Sequence, residues 1–122
     1  TKRVRVKVDN TLRPHSLGAF QKMFNEIYPA GGRTLADAGV HLAEEMGEVS
    51  EAVHNYLGQH LAKQFSEVKL ETSDFVSCIL GVANSANIDI AKELSLIYNN
   101  GCHVCHKSPC QCSFSEVVSL KS

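Results

Sequence analysis

Apolar residues recur every three or four positions through most of this chain, the spacing of amphipathic helices that pack against one another. Ser16 can cap a helix running to about Tyr28, with Leu17, Phe20, Phe24 and Ile27 on one side. "PAGGR" then breaks it. Thr34 followed by Asp37 forms a capping box with Asp in place of the usual Glu, which predicts a long helix from there to about Leu57. Its stripe is Leu35, Ala38, Leu42, Met46, Val49, Val53 and Tyr56, and Gly58 is the expected stop. A second long helix is predicted from about Leu61 to Ala86, with the stripe Leu61, Phe65, Val68, Thr72, Phe75, Ile79, Val82 and Ala86. "NIDI" supplies a turn and a cap, Ile88 to Tyr98 reads as a last helix, and "NNG" ends it. The expected fold is all-α, an antiparallel bundle of about four helices.

Two short segments fall outside that pattern. Val4, Val6 and Val8 alternate with Arg3, Arg5 and Lys7, the period of a short extended segment with one basic face. It reads either as an edge or arm blunted by charge, or as a contact for a phosphate or a partner. From Cys102 onward the tail is a separate small element. The expected organisation is a helical domain over residues 1–100 and a Cys-rich element over 101–122.

Composition narrows the function. With 122 residues, 43% hydrophobic and 20% charged, the chain suits one modest core, and oligomerisation would add apolar burial. Twelve basic residues against 13 acidic ones leave no electrostatic footprint for a nucleic-acid polymer. Neither a run of 18 apolar residues nor an apolar leader is present, so neither membrane insertion nor secretion is expected and the cytoplasm is the expected compartment. A chain opening on Thr1 rather than Met reads as a processed or trimmed piece of a longer protein.

The candidate chemistry begins at "HLAEEMGEV", His41 to Val49. At about 100° per residue, Glu45 and Glu48 point to about 300° and 240° from the stripe residue Leu42, which puts them on one flank of the core. On the next helix Glu71 and Asp74 take the same offsets from Val68. Antiparallel neighbours can then bring four carboxylates into one cluster, where like charges repel unless a cation or protons intervene. Mg²⁺ is the simplest remedy, being a hard ion that takes oxygen ligands, keeps waters and is completed by substrate phosphates. Local salt bridges do not explain these acids, because the residues four positions after Glu45 and Glu48 are Val49 and Ala52. Glu44 and Glu51 point away from the stripe and read as solvated.

"EEMGE" (Glu44, Glu45, Glu48), 22 intervening residues and "ETSD" (Glu71, Asp74) resemble the EExxE and ExxD signature of the MazG-like all-α nucleoside triphosphate pyrophosphohydrolases. The resemblance extends through "DFVSCILGVANSANIDI" and covers roughly residues 16 to 98. It implies a homodimeric or homotetrameric bundle that binds Mg²⁺ (or Mn²⁺) and hydrolyses a nucleoside triphosphate, often a noncanonical or surplus dNTP, to the monophosphate and pyrophosphate. By the same resemblance Glu45, Glu48, Glu71 and Asp74 are the metal ligands, and Glu44 or Glu48 orients the attacking water. The final helix departs from the family, reading "SLIYNNGC" where many members carry a Lys followed by Asn and Arg or Tyr. Phosphate contacts then fall to Arg13, Arg33, Lys63 or Lys69, with Asn84 and Asn87 as candidates for base or sugar. Each of these also has a plain reading as a solvated or helix-end residue. The departure keeps open a rival function, a non-catalytic nucleotide-sensing or protein-docking module.

"GCHVCHKSPCQC" holds four of the five cysteines, Cys102, Cys105, Cys110 and Cys112, within eleven residues. C-x2-C followed by C-x-C, with Gly101 and Pro109 as turn formers, suits a tetrahedral structural Zn²⁺ site too small to have its own core. "CHVCH" also matches a haem-attachment string, and redox or disulfide chemistry is the third reading, which a reducing cytosol disfavours. His103 and His106 are alternative metal ligands. Cys78 reads as a small buried filler near Asp74. His41, on the strip of Glu45, reads either as a partly buried core histidine or as a partner supporting a metal ligand.

Overall fold

The computed structural model describes residues 5–29 and 32–121, with the side chains of 120 and 121 left aside. Its elements are helices α1 (Leu17–Ile27), α2 (Leu35–Gln59), α3 (Ala62–Ser85), α4 (Ile90–Ile97) and α5 (Phe114–Lys121), and the described residues contain no strand. The all-α class is as expected; α5, within the Cys-rich segment, was not foreseen. The chain forms two compact units, the first ending at Asn87 and the second beginning at Ile88, so α4 groups with the cysteines.

Side-chain caps explain why α1 and α2 start where they do, whereas α3 is entered at Leu61 without one. The Ser16 hydroxyl accepts from the amide of Ala19 at 3.1 Å. Thr34 Oγ1 accepts from the Asp37 amide at 3.1 Å while Asp37 Oδ2 accepts from the Thr34 amide at 3.4 Å, closing the capping box. Gly58 does not end α2. The helix runs on to Gln59, and His60 takes the left-handed cap position (φ 54°), its ring edge-on to Tyr56 with centroids 5.2 Å apart. Only His60 and Leu61 separate the two long helices, which forces an antiparallel hairpin. Tyr56 and Phe65 meet across its closed end with ring centroids 5.3 Å apart.

The core departs from the stripes read in the sequence. On α2 the buried residues are Ala38, Glu45 and Ala52, one every two turns, whereas Leu35 and Met46 are exposed by 51% and 58%. On α3 they are Cys78, Leu80 and Ala83. The reason is that α3 packs against both α2 and α1, so two of its faces are covered and a single stripe describes neither. Small buried side chains let the backbones approach closely, and Leu80 is the one large side chain among the described residues that is fully buried.

The N-terminal segment forms no strand over its described part. Residues 5–9 are irregular, with Val6 and Val8 exposed, and Val4 and Arg3 lie outside the described residues, as do Ala30 and Gly31 of the "PAGGR" break. Arg5 Nη2 donates to the carbonyl of Ser66 at 3.5 Å, which lays this arm along α3. In the second unit Asp89 caps α4 by accepting from the Lys92 amide at 3.2 Å, and Asn99 (φ 53°) turns the chain after it.

Candidate metal centres

The hairpin register decides which acids meet. Nearly four turns from the closed end on α2 and about three on α3, carboxylate oxygens of Glu45 and of Glu71 and Asp74 lie within 4.8 Å of one another. Glu45 is 5% exposed, buried in the helix interface and not on the flank where its angle had placed it. Its Oε2 is enclosed and has no hydrogen-bond partner, and its Oε1 lies 3.8 Å from His41 Nε2. A buried carboxylate oxygen with no donor is costly unless a cation compensates it. Three carboxylate oxygens from two helices are a donor set that a hard cation could take.

Glu48, expected as a fourth ligand, is exposed and stands outside this group, because it lies one turn on and rotated away from α3. Glu44 is also exposed, with Oε2 3.8 Å from His41 Nδ1, and Glu51 is exposed.

A cavity of about 500 Å³ opens between the end of α1, the segment before α2, and α3. Phe24, Ile27 and Tyr28 form its apolar wall, and Arg33, His41, Ser77, Cys78, Gly81 and Asn84 its polar side. Through His41 it adjoins Glu45. Arg33 lies over Gly81, where a Cβ would sit 3.6 Å from its Nη1.

The other expected substrate contacts are placed elsewhere. Asn84 lines the cavity, but its Oδ1 accepts from Gln21 Nε2 at 3.0 Å and its Nδ2 donates to the Gln21 carbonyl at 3.1 Å, so its polar atoms tie α3 to α1. Asn87 (φ 56°) is an exposed turn residue. Lys63 lines a different hollow with His54, Asn55 and Glu67 at the closed end of the hairpin. Lys69 lies over the Phe65 ring, 5.2 Å from its centroid, and Arg13 folds onto its own loop by donating to Asn10 and Pro14. Arg33 alone among the basic candidates faces the cavity.

The second unit builds a different centre. Sulfur atoms of Cys102, Cys105, Cys110 and Cys112 lie within 4.8 Å of one another, and Cys105 Sγ and Cys110 Sγ are 3.9 Å apart. Four thiolates at about 2.3 Å from a tetrahedral Zn²⁺ stand about 3.8 Å apart, so the cluster has the dimensions of a zinc site. The backbone supports it. The amide of Val104 donates to Cys102 Sγ and that of Cys112 to Cys110 Sγ, each at 3.3 Å, while the Cys102 amide donates to the Lys107 carbonyl at 3.0 Å. This tight loop requires Gly101, since a Cβ there would lie 2.5 Å from the His106 carbonyl oxygen.

The same amides set the acidity of the thiols. Cys105 is lowered to about 6, first by the Gln111 amide and then by that of Lys107, and Cys102 is lowered by the amides of Cys105 and Val104. Cys112 is pushed up to about 12 by desolvation and by its thiol neighbours Cys105 and Cys110. Cys110 is raised despite the Cys112 amide, because its hydrogen bond with Cys102 and desolvation outweigh that donor. Metal-free, the cluster thus holds both thiolates and thiols, and a cation would discharge the remaining protons. His103, edge-on to Tyr98, and His106 stand outside the group of four. Convergence of all four sulfurs fits a metal knuckle and leaves the haem reading without support, as that string uses two.

The sequence reading missed one grouping. His41, Glu45 and Cys78 also offer donor atoms within 4.8 Å of one another. The signal for His41 and Glu45 was their i, i+4 spacing; nothing local links either to Cys78. Comparison with protein-family models, with curated proteins and with solved structures yields no match.

Proposed function

We propose that the first unit is a Mg²⁺-dependent hydrolase of nucleoside triphosphates, a dNTP foremost, that releases the monophosphate and pyrophosphate in a house-cleaning role, as the resemblance to the MazG-like enzymes implies. The observation that carries this reading is the buried Glu45 carboxylate, with one oxygen lacking a donor, set against Glu71 and Asp74 beside a cavity of nucleotide size. Glu45, Glu71 and Asp74 would hold the cation, which draws charge from the phosphate oxygens. Glu48, exposed one turn away, takes the water-orienting role rather than that of a ligand, with Glu44 the alternative. Arg33 meets phosphate, and the aromatic wall of Phe24 and Tyr28 faces the base. The Cys-rich unit carries a structural Zn²⁺, which suits a reducing cytoplasm where thiols stay available.

The working form in this reading is a homodimer or homotetramer. Leu35, Met46, Val53 and Leu57 lie within about 40° of one another around α2 and are 39–60% exposed, an apolar strip that a second copy would cover. Incubation with a dNTP panel and MgCl₂ tests the activity. Pyrophosphate release that disappears in Asp74→Ala is the expected result, and no release from any nucleotide at concentrations where oligomers form refutes it.

The scarcity of cations at the cavity favours a second reading, a non-catalytic nucleotide sensor or protein-docking module, because among the described residues Arg33 is the one lysine or arginine lining it. Calorimetry separates the two: nucleotide binding without product would establish the sensor.

A further inference from the structure

His41, Glu45 and Cys78 form a second donor set, which shares only Glu45 with the three clustered acids and nothing with the Cys-rich knuckle. We propose that this set, at the side of the cavity, binds a thiophilic divalent cation of the zinc class, with the fourth coordination position open to the cavity. Nitrogen, oxygen and sulfur donors together select such an ion over Mg²⁺, which takes oxygen alone. Three protein ligands with one open position are the pattern of reactive rather than structural zinc sites.

The geometry supports each ligand in turn. His41 Nε2 and Glu45 Oε1 are 3.8 Å apart, close to the roughly 3.3 Å that separates two donors about 2.0 Å from a tetrahedral ion. They sit at i, i+4 on α2, so the helix itself presents both on one side. Glu44 Oε2 lies 3.8 Å from the other ring nitrogen, Nδ1, outside hydrogen-bond distance but on the side from which an outer carboxylate would close onto a metal-bound imidazole. Cys78 comes from α3, is buried, and lines the cavity with His41. Glu45 is 5% exposed and keeps an enclosed oxygen without a hydrogen bond, which a cation would compensate. Binding displaces the thiol proton of Cys78 to solvent and changes no oxidation state. This site does not require that the chain hydrolyse nucleotides.

Cobalt(II) reports it directly, because a cobalt–thiolate bond gives a charge-transfer absorption that oxygen ligands do not. The full chain is first given one equivalent of Zn²⁺, which the four-thiolate cluster takes, and is then titrated with Co²⁺. One further equivalent should bind and give a charge-transfer band about a quarter as intense as that of a four-thiolate cobalt site, since one thiolate contributes in place of four. Cys78→Ser should abolish the band. His41→Gln, at a half-exposed position that leaves the thiol in place, should weaken binding at least about 100-fold, since outer partners alone contribute about 10- to 100-fold. Should Cys78→Ser fail to fold by circular dichroism, His41→Gln decides. No band in the folded chain, or a band that neither substitution alters, overturns the proposal. Nucleotide turnover enters none of these readouts, so their failure leaves the hydrolase reading standing, and the failure of that reading leaves this site standing.

Discussion

Replacing Glu45 by Gln keeps the shape of the side chain and removes its charge, and the structure predicts opposite effects with and without magnesium. In the metal-free chain Glu45 lies within 4.8 Å of two other carboxylates. Two unit charges at that separation repel by about 3.5 kcal/mol at an effective dielectric constant of 20. Glu71 and Asp74 are half-buried, so water reduces this to about 1–2 kcal/mol for each pair. Against that relief stands the contact with the half-exposed His41, worth about 0–1 kcal/mol. The net gain is about 2 kcal/mol, which in a chain of this size raises the midpoint of thermal unfolding by about 6–10 °C. Magnesium reverses the order. The wild type gains about 2.7 kcal/mol at a concentration 100 times its dissociation constant, whereas the variant, lacking the buried ligand, gains little. Thermal melts followed by far-UV circular dichroism, in chelator and in MgCl₂, read both effects. If Glu45→Gln melts below the wild type in chelator and magnesium raises both proteins equally, the three acids do not share a cation and the reasoning fails.

Glu48→Gln should lower nucleotide turnover by about 10²–10⁴-fold, the usual worth of a group that positions or accepts a proton, while leaving magnesium affinity within about threefold; isothermal titration beside a pyrophosphate assay separates the two. Zinc removal by a chelator should loosen the Cys102–Cys112 loop while the α2–α3 hairpin persists, because the two lie in separate compact units; hydrogen exchange read by mass spectrometry would show protection lost in that loop alone. In the metal-free chain Cys105 should react first with iodoacetamide, its rate rising through a midpoint near pH 6, with Cys112 last. The linked effect on folding has a definite sign. Because the folded value of Cys105 lies below its ordinary 9.0, its contribution is full above about pH 9 and fades as the pH falls through about 6; that of Cys112, raised to about 12, is full below about 9 and is lost above about 12. Gly101→Ala should weaken zinc binding at the knuckle, since the added methyl meets the His106 carbonyl at 2.5 Å; a competition titration with a chromophoric chelator measures the loss.

Much of this was legible in the amino-acid order. Ser16, the Thr34–Asp37 box and Asp89 start their helices through side-chain oxygens acting on amides three residues away, and such local chemistry depends on little beyond the neighbouring sequence. The four-cysteine knuckle was legible for the same reason: eleven residues carry all four ligands, and the glycine the loop needs immediately precedes them. The end of α2 was not, because His60 takes a left-handed cap that a glycine two positions earlier made unnecessary to suspect.

Helical period and spacing determined that this chain is all-α, that its two long helices fold back on each other, and that acids from both approach one region. Tertiary packing decided the rest. With α3 covered on two sides, the interface rotated so that Ala38, Glu45 and Ala52 turned inward and Met46 outward, which buried one glutamate, left Glu48 in water, and brought Cys78 beside His41. An angle around an isolated helix cannot supply that, because which direction counts as inside is set by the neighbours the helix acquires.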